Sequence, residues 1–169
     1  PDQAITITAT HTHGGPTSMK DRLNSKVNFK FYNKLEKALT DSIKIAYENR
    51  TYVKLYGGLG IEPGVAKNRI NTTGLIDKGI PIIRFDDLKG NTIAFLISYA
   101  CHPVVLGANN LLWTSDYIHF CRKKLEEIYP KAKVVFATGC AGDVNTGHSA
   151  ESSLLNDFKS NRTFSEAKK

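Results

Sequence analysis

The 169-residue chain has no apolar run long enough to span a membrane, so no transmembrane segment is expected. It holds only three cysteines, Cys101, Cys121 and Cys140, and none sits in a C-x-x-C pair. That excludes a disulfide framework or a zinc knuckle, and Cys101 and Cys140, at the ends of apolar runs, are expected to be buried thiols. Basic residues outnumber acidic ones 23 to 16, a net charge of +7, yet no basic run is interleaved with aromatics and no nucleic-acid module signature occurs. The charge therefore reads as solvated surface, and no nucleic-acid partner is expected. No initiator methionine and no internal repeat are present. The chain opens just before a strand pattern and stops at "RTFSEAKK", which reads as a helix capped by Thr163 with Glu166 at its third position. Both ends read as cut, and residues 1–169 are expected to be part of one larger domain.

The length and the ordinary apolar and charged fractions suit a globular core. Alternation predicts a first strand over about 4–12. Apolar residues Phe31, Leu35, Leu39 and Ala46 predict a helix over about 28–48. "TYVKLYGGLGI" reads as a strand interrupted by glycine, and "EPGVAKNRINTTG" as a loop. "IPIIRFDDLKGNTIAFLISYA" reads as two strands joined by a turn around Lys89, Gly90 and Asn91. "DYIHFCRKKLEEIY" is an amphipathic helix ended by Pro130, and "AKVVFATG" a buried strand leading into the Gly-rich loop "GCAGDVNTG". Residues 148–162 are polar and expected to be mobile. The alternation of elements predicts an α/β fold with a mixed sheet and flanking helices.

The stretch "TITATHTHGGP", residues 6–16, carries the first chemical signal. Residues two apart on a strand share a face, so His11 and His13 continue the side of Ile5, Ile7 and Ala9 out to the strand end. Two imidazoles aimed one way can bind a metal or handle protons. His102, in "YACHPVVLG", follows a second strand; Asp143, in "GCAGDVN", follows a third; Arg69 lies in the long loop. In open α/β sheets, sites gather outside strand ends where loops converge. Histidine, carboxylate and arginine brought together there can support a metal, a general base and an oxyanion stabiliser.

Taken together, "ATHTHGGP", "KNRIN", "IDKGIPIIRFDDLKGNTIAFLISYACHPVVLG", "NNLLWTSDY", "VVFATGCAGDVN" and "RTFSEAKK" resemble, in order and over nearly the whole chain, the catalytic domain of neutral ceramidases and their bacterial relatives. The resemblance is to the broad ceramidase-like group rather than to a true ceramidase. It implies hydrolysis of an amide bond with one zinc ion, His11 and His102 as zinc ligands, His13 beside the metal at the reacting centre, and Arg69 on the substrate. It also implies a glutamate and a tyrosine ligand downstream, which this chain does not contain. Two histidines fall short of the three protein ligands usual for catalytic zinc, so the rest of the same catalytic domain or a second chain is an expected partner. Asp116 and Asp143 are the nearby carboxylates, expected to fix a loop or orient a histidine.

True ceramidases carry a serine after "GD-x"; here Asn145 takes that place, as the candidate substrate-binding residue. Metal-assisted hydrolysis follows, since zinc brings the pKa of bound water to about 7. The substrate expected is a small-molecule or lipid-like amide or ester. The alternatives are a carbohydrate-derived or small amide or ester on the same scaffold, or a non-catalytic binding protein that lost the metal. The resemblance implies a secreted or periplasmic protein, and the sequons at Asn49, Asn71 and Asn161 are open to glycosylation only in a eukaryotic secretory host.

Overall fold

A computed structural model describes residues 5–16, 28–147 and 162–169. The chain divides into two compact units, one of residues 1–14 with 53–169 and one of residues 15–52. The described part of the second is helix α1, Phe29–Glu48. Asn28 caps it by accepting a hydrogen bond from Phe31 N at 3.0 Å, and Lys37 pairs with Asp41 one turn on, so the helix is satisfied locally.

The first unit is built on a four-stranded mixed sheet in the order β1-β3-β4-β5, from β1 (Val53–Ile61), β3 (Gly79–Asp87), β4 (Thr92–Tyr99) and β5 (Lys133–Thr138). β1 pairs antiparallel with β3 at all nine positions, Val53↔Asp87 through Ile61↔Gly79. The expected interruption at the glycines is absent: a glycine weakens a strand but still offers its N–H and C=O to the ladder. The β3–β4 hairpin turns where Lys89, Gly90 and Asn91 predict. Asp87 Oδ1 accepts Lys89 N and Asn91 N at 2.8 Å each, and Gly90 takes φ +86, a conformation open to glycine at little cost.

β4 and β5 are parallel, and their crossover is α2 (Tyr117–Ile128), the βαβ arrangement that parallel neighbours require. α2 buries Ile118 against Phe95, Ile97, Val134 and Phe136, with Cys121 and Leu125 packed on the same cluster. A second small cluster of Ala66, Cys101 and Val144 sits beneath the loops at the strand ends. There β2 (Lys67–Asn68) and β6 (Val144–Asn145) form a short antiparallel pair within segments expected to be loops. α3 (Phe164–Lys168) opens as expected, with Thr163 Oγ1 accepting Glu166 N at 3.2 Å.

Three expectations are corrected. Residues 5–12 form no strand, and Ile5 and Ile7 are exposed. Single side-chain bonds hold this segment in place of a ladder, and His11 takes φ +58, which ends any alternation. Cys140 is exposed, because it sits at the start of the loop after β5, not within the strand; Cys101 is buried as expected. Of the polar stretch 148–162, Arg162 is buried and well bonded, and the remainder lies outside the described residues. Among the described residues no helix is long and apolar enough to cross a membrane.

Candidate metal centre

Two loops bring the histidines together. Segment 10–14 is pinned at three points: Thr138 Oγ1 donates to Thr10 O at 2.8 Å, Thr12 Oγ1 to Thr114 O at 2.9 Å, and Thr114 N to Gly14 O at 2.9 Å. The approach to Thr114 needs glycine, because a Cβ on Gly14 would lie 2.4 Å from Thr114 Cγ2. His11 and His13 project from this segment. His102 stands just after β4, its N–H donating to Val144 O at 2.9 Å.

The ring centroids are 4.9 Å apart for His11 and His102, 5.3 Å for His11 and His13, and 5.8 Å for His13 and His102. One potential ligand atom from each ring lies within 4.8 Å of the other two, an arrangement that can close on one ion. Among the described residues no carboxylate or thiol joins this group.

His102 is buried and its Nδ1 faces two carbonyl oxygens, Ala141 O at 2.5 Å and Val144 O at 3.2 Å. Carbonyls only accept, so Nδ1 carries the proton and the Nε2 lone pair is left free. Burial lowers the pKa of His102, and the Arg69 charge and His11 add to the shift, against its two backbone hydrogen bonds. Burial also lowers the pKa of His13, helped by His11, His102, Arg69 and Arg162. Both rings are thereby held towards the neutral form that a metal needs.

The other sequence-selected residues are bonded within the loops that adjoin these histidines. Arg69 is anchored on the loop that holds His102, with Nη2 donating to Gly142 O at 2.7 Å and its backbone N to Asp143 O at 2.8 Å. Its Nε is buried and has no hydrogen-bond partner among the described residues. Asp143 accepts Asn68 Nδ2 at 2.7 Å and is not among the residues that converge with the rings. Asn145 is fully buried, its Oδ1 accepting Gly147 N at 2.9 Å. Asp116 is buried and accepts Val105 N, Leu106 N and Tyr117 N at 3.1, 2.9 and 2.8 Å.

Reading the sequence missed three contributors. Thr114 holds segment 10–14 through its backbone and accepts Asp116 N on its hydroxyl at 2.9 Å, so "TSD" ties both histidine-bearing loops together. Glu62 accepts the N–H groups of Gly64, Val65 and Ala66 and the Tyr99 hydroxyl, closing the turn that leads to Arg69; these bonds hold its carboxyl below the usual range. Arg162 is the third: it opens "RTFSEAKK", a segment that carries both the resemblance and a helix cap, but nothing there marks a buried guanidinium.

No family model matches the chain, and no curated protein sequence matches it. Solved structures do. A ceramidase complexed with C2 superposes with a TM-score of 0.73 at 21% identity, over 82% of this chain and 25% of that one. A neutral ceramidase from Pseudomonas aeruginosa superposes with a TM-score of 0.74 at 20% identity, over 95% of this chain and 29% of that one. The chain thus spans between a quarter and a third of the length of those proteins, and over most of its own length it has the fold of the corresponding part of a neutral ceramidase.

Proposed function

We propose that residues 1–169 form part of the catalytic domain of a zinc-dependent hydrolase that cleaves an amide or ester bond. The observation that carries this reading is the convergence of three imidazoles, with one potential ligand atom from each within 4.8 Å of the others. The donor set fits zinc: His102 offers Nε2 because its Nδ1 is spent on carbonyls, the arrangement that orients histidine ligands in metal sites. His11 and His102 hold the ion, with His13 beside it. When bound, zinc supplies a water ionisable near pH 7 and polarises a carbonyl.

The chain's own residues do the rest. His13, exposed and held neutral, takes the proton that the attacking water gives up and passes it to the leaving amine or alcohol. Arg69, steadied by Gly142 O, donates to the carbonyl oxygen as negative charge develops there. Asp116 and Asp143 fix the loops that present these groups. Asn145 stands where true ceramidases have serine, which favours a smaller amide or ester over ceramide. Further zinc ligands come from the rest of the catalytic domain, in the same polypeptide or a second chain, and the protein works outside the cytoplasm.

A panel of N-acyl amides and esters, including an N-acylated sphingoid base, tests this on the full-length protein with zinc. We expect turnover that disappears with a chelator and with His11→Ala or His102→Ala. Arg69→Lys should lower kcat/KM by about 10²-fold, the scale of one lost oxyanion donor. Chelator-resistant turnover, or wild-type kcat/KM in Arg69→Lys, contradicts the reading.

A further inference from the structure

The segment after His102 is irregular, yet residues 101–106 are all buried. Buried backbone outside a helix or sheet must find its hydrogen bonds elsewhere. Two charged side chains supply them. The Asp116 carboxylate takes Val105 N and Leu106 N at 3.1 and 2.9 Å. The Arg162 guanidinium takes the carbonyls: Nη2 donates to Val104 O at 2.8 Å and Leu106 O at 3.5 Å, and Nε to Val105 O at 3.1 Å. Arg162 is only 7% exposed, so its charge has been taken out of water and is met by carbonyl dipoles. Gly107 leaves room for it, since a Cβ there would lie 3.3 Å from Arg162 Cδ and 3.4 Å from Nε.

We infer that Arg162 is a positioning residue for His102: with Asp116 it clamps the strap Val104–Leu106 and so sets where the imidazole stands. A single residue separates the strap from His102. Pro103, fully buried, fixes its own φ, and Val104 N donates back to His102 O at 2.9 Å. A shift of Val104 is therefore passed to His102, whose Nδ1 must still meet Ala141 O. A planar fork is suited to spanning several carbonyls, and lysine, a single ammonium, is not. The inference rests on the reading of His102 as a metal ligand, but its effect on the ring can be measured without metal.

The test compares the full chain with Arg162→Met, Arg162→Lys and Gly107→Ala. Ring nitrogen NMR reports the His102 tautomer, amide exchange reports Val105 and Leu106, and cobalt(II) titration reports the site. Wild type should show one His102 tautomer, protonated at Nδ1. Arg162→Met should mix the tautomers, speed exchange at both amides and weaken cobalt binding by about 10- to 100-fold, the range for groups that hold a ligand from behind. Arg162→Lys should fall between, and Gly107→Ala should shift the tautomer in the same direction. If Arg162→Met does not fold, Arg162→Lys and Gly107→Ala decide. A wild-type His102 tautomer and cobalt affinity in the folded variants would overturn the inference, even with faster exchange in the strap. Tautomer mixing in a protein that binds no cobalt would uphold the clamp and overturn the metal reading.

Discussion

Replacing Asp116 by alanine should destabilise the chain by about 4 kcal/mol. Asp116 is 2% exposed and its carboxylate accepts three backbone N–H groups. Alanine leaves Val105 N and Leu106 N buried without partners, at about 1–3 kcal/mol each, and removes the cap of α2, worth about 1 kcal/mol. Against a total stability of about 5–15 kcal/mol that is a large fraction. With a urea slope of about 2 kcal/mol/M, the midpoint should fall by about 2 M. A second variant separates hydrogen bonding from backbone strain. Asp116 sits at φ 58, ψ −142, a region populated almost only by glycine. Asp116→Gly loses the same bonds but is freed of strain worth about 1–3 kcal/mol, so it should be more stable than Asp116→Ala. Asp41→Ala, on the exposed face of α1, should change stability by less than about 0.5 kcal/mol. Urea unfolding of the four proteins is the assay. A loss below about 1 kcal/mol in Asp116→Ala would mean that the two strap amides do not depend on the carboxylate, and a glycine variant less stable than the alanine one would mean that the backbone at 116 stores no strain.

Two further outcomes follow from the geometry. Gly14→Ala should displace the His11 and His13 segment and weaken metal binding, because its Cβ would meet Thr114 Cγ2 at 2.4 Å; adding Thr114→Ser removes that methyl and should recover part of the affinity, and equal affinity in wild type and Gly14→Ala would contradict the close approach. The metal-free protein should lose stability as pH falls below about 6.5, the ordinary value for histidine. The folded-state pKa values of His102 and His13 are lowered, so the unfolded chain takes up their protons first, and the contribution is intact above about 6.5 and lost as pH falls towards the folded values. Melting temperatures between pH 5 and 8 check this, and His102→Gln should flatten the slope; an unchanged slope in that variant would count against it.

Most of the sheet was legible because its signals are local. Asp87, Lys89, Gly90 and Asn91 specify their own turn, and Thr163 with Glu166 three residues on marks the start of a helix at Phe164. His11, His13 and His102 were legible through the resemblance that "ATHTHGGP" and "YACHPVVLG" help to carry, since each piece alone is a weak signal. Segment 5–12 misled because alternation reports which residues share a face but not whether a neighbouring strand exists to pair with. Cys140 misled because its neighbours are apolar while it stands one residue past Gly139, where the chain has left β5. Arg162 was out of reach: its partners Val104, Val105 and Leu106 are backbone carbonyls 56 to 58 residues away, and a carbonyl leaves no mark on the sequence.

Ring nitrogen NMR of the histidines during zinc titration shows whether His11 and His102 meet on one metal ion. One nitrogen of His11 and Nε2 of His102 should move together into the metal-bound range while Nδ1 of His102 keeps its proton against Ala141 O. Zinc that binds with the His102 ring unchanged, or His11 and His102 responding at separate zinc concentrations, would contradict it.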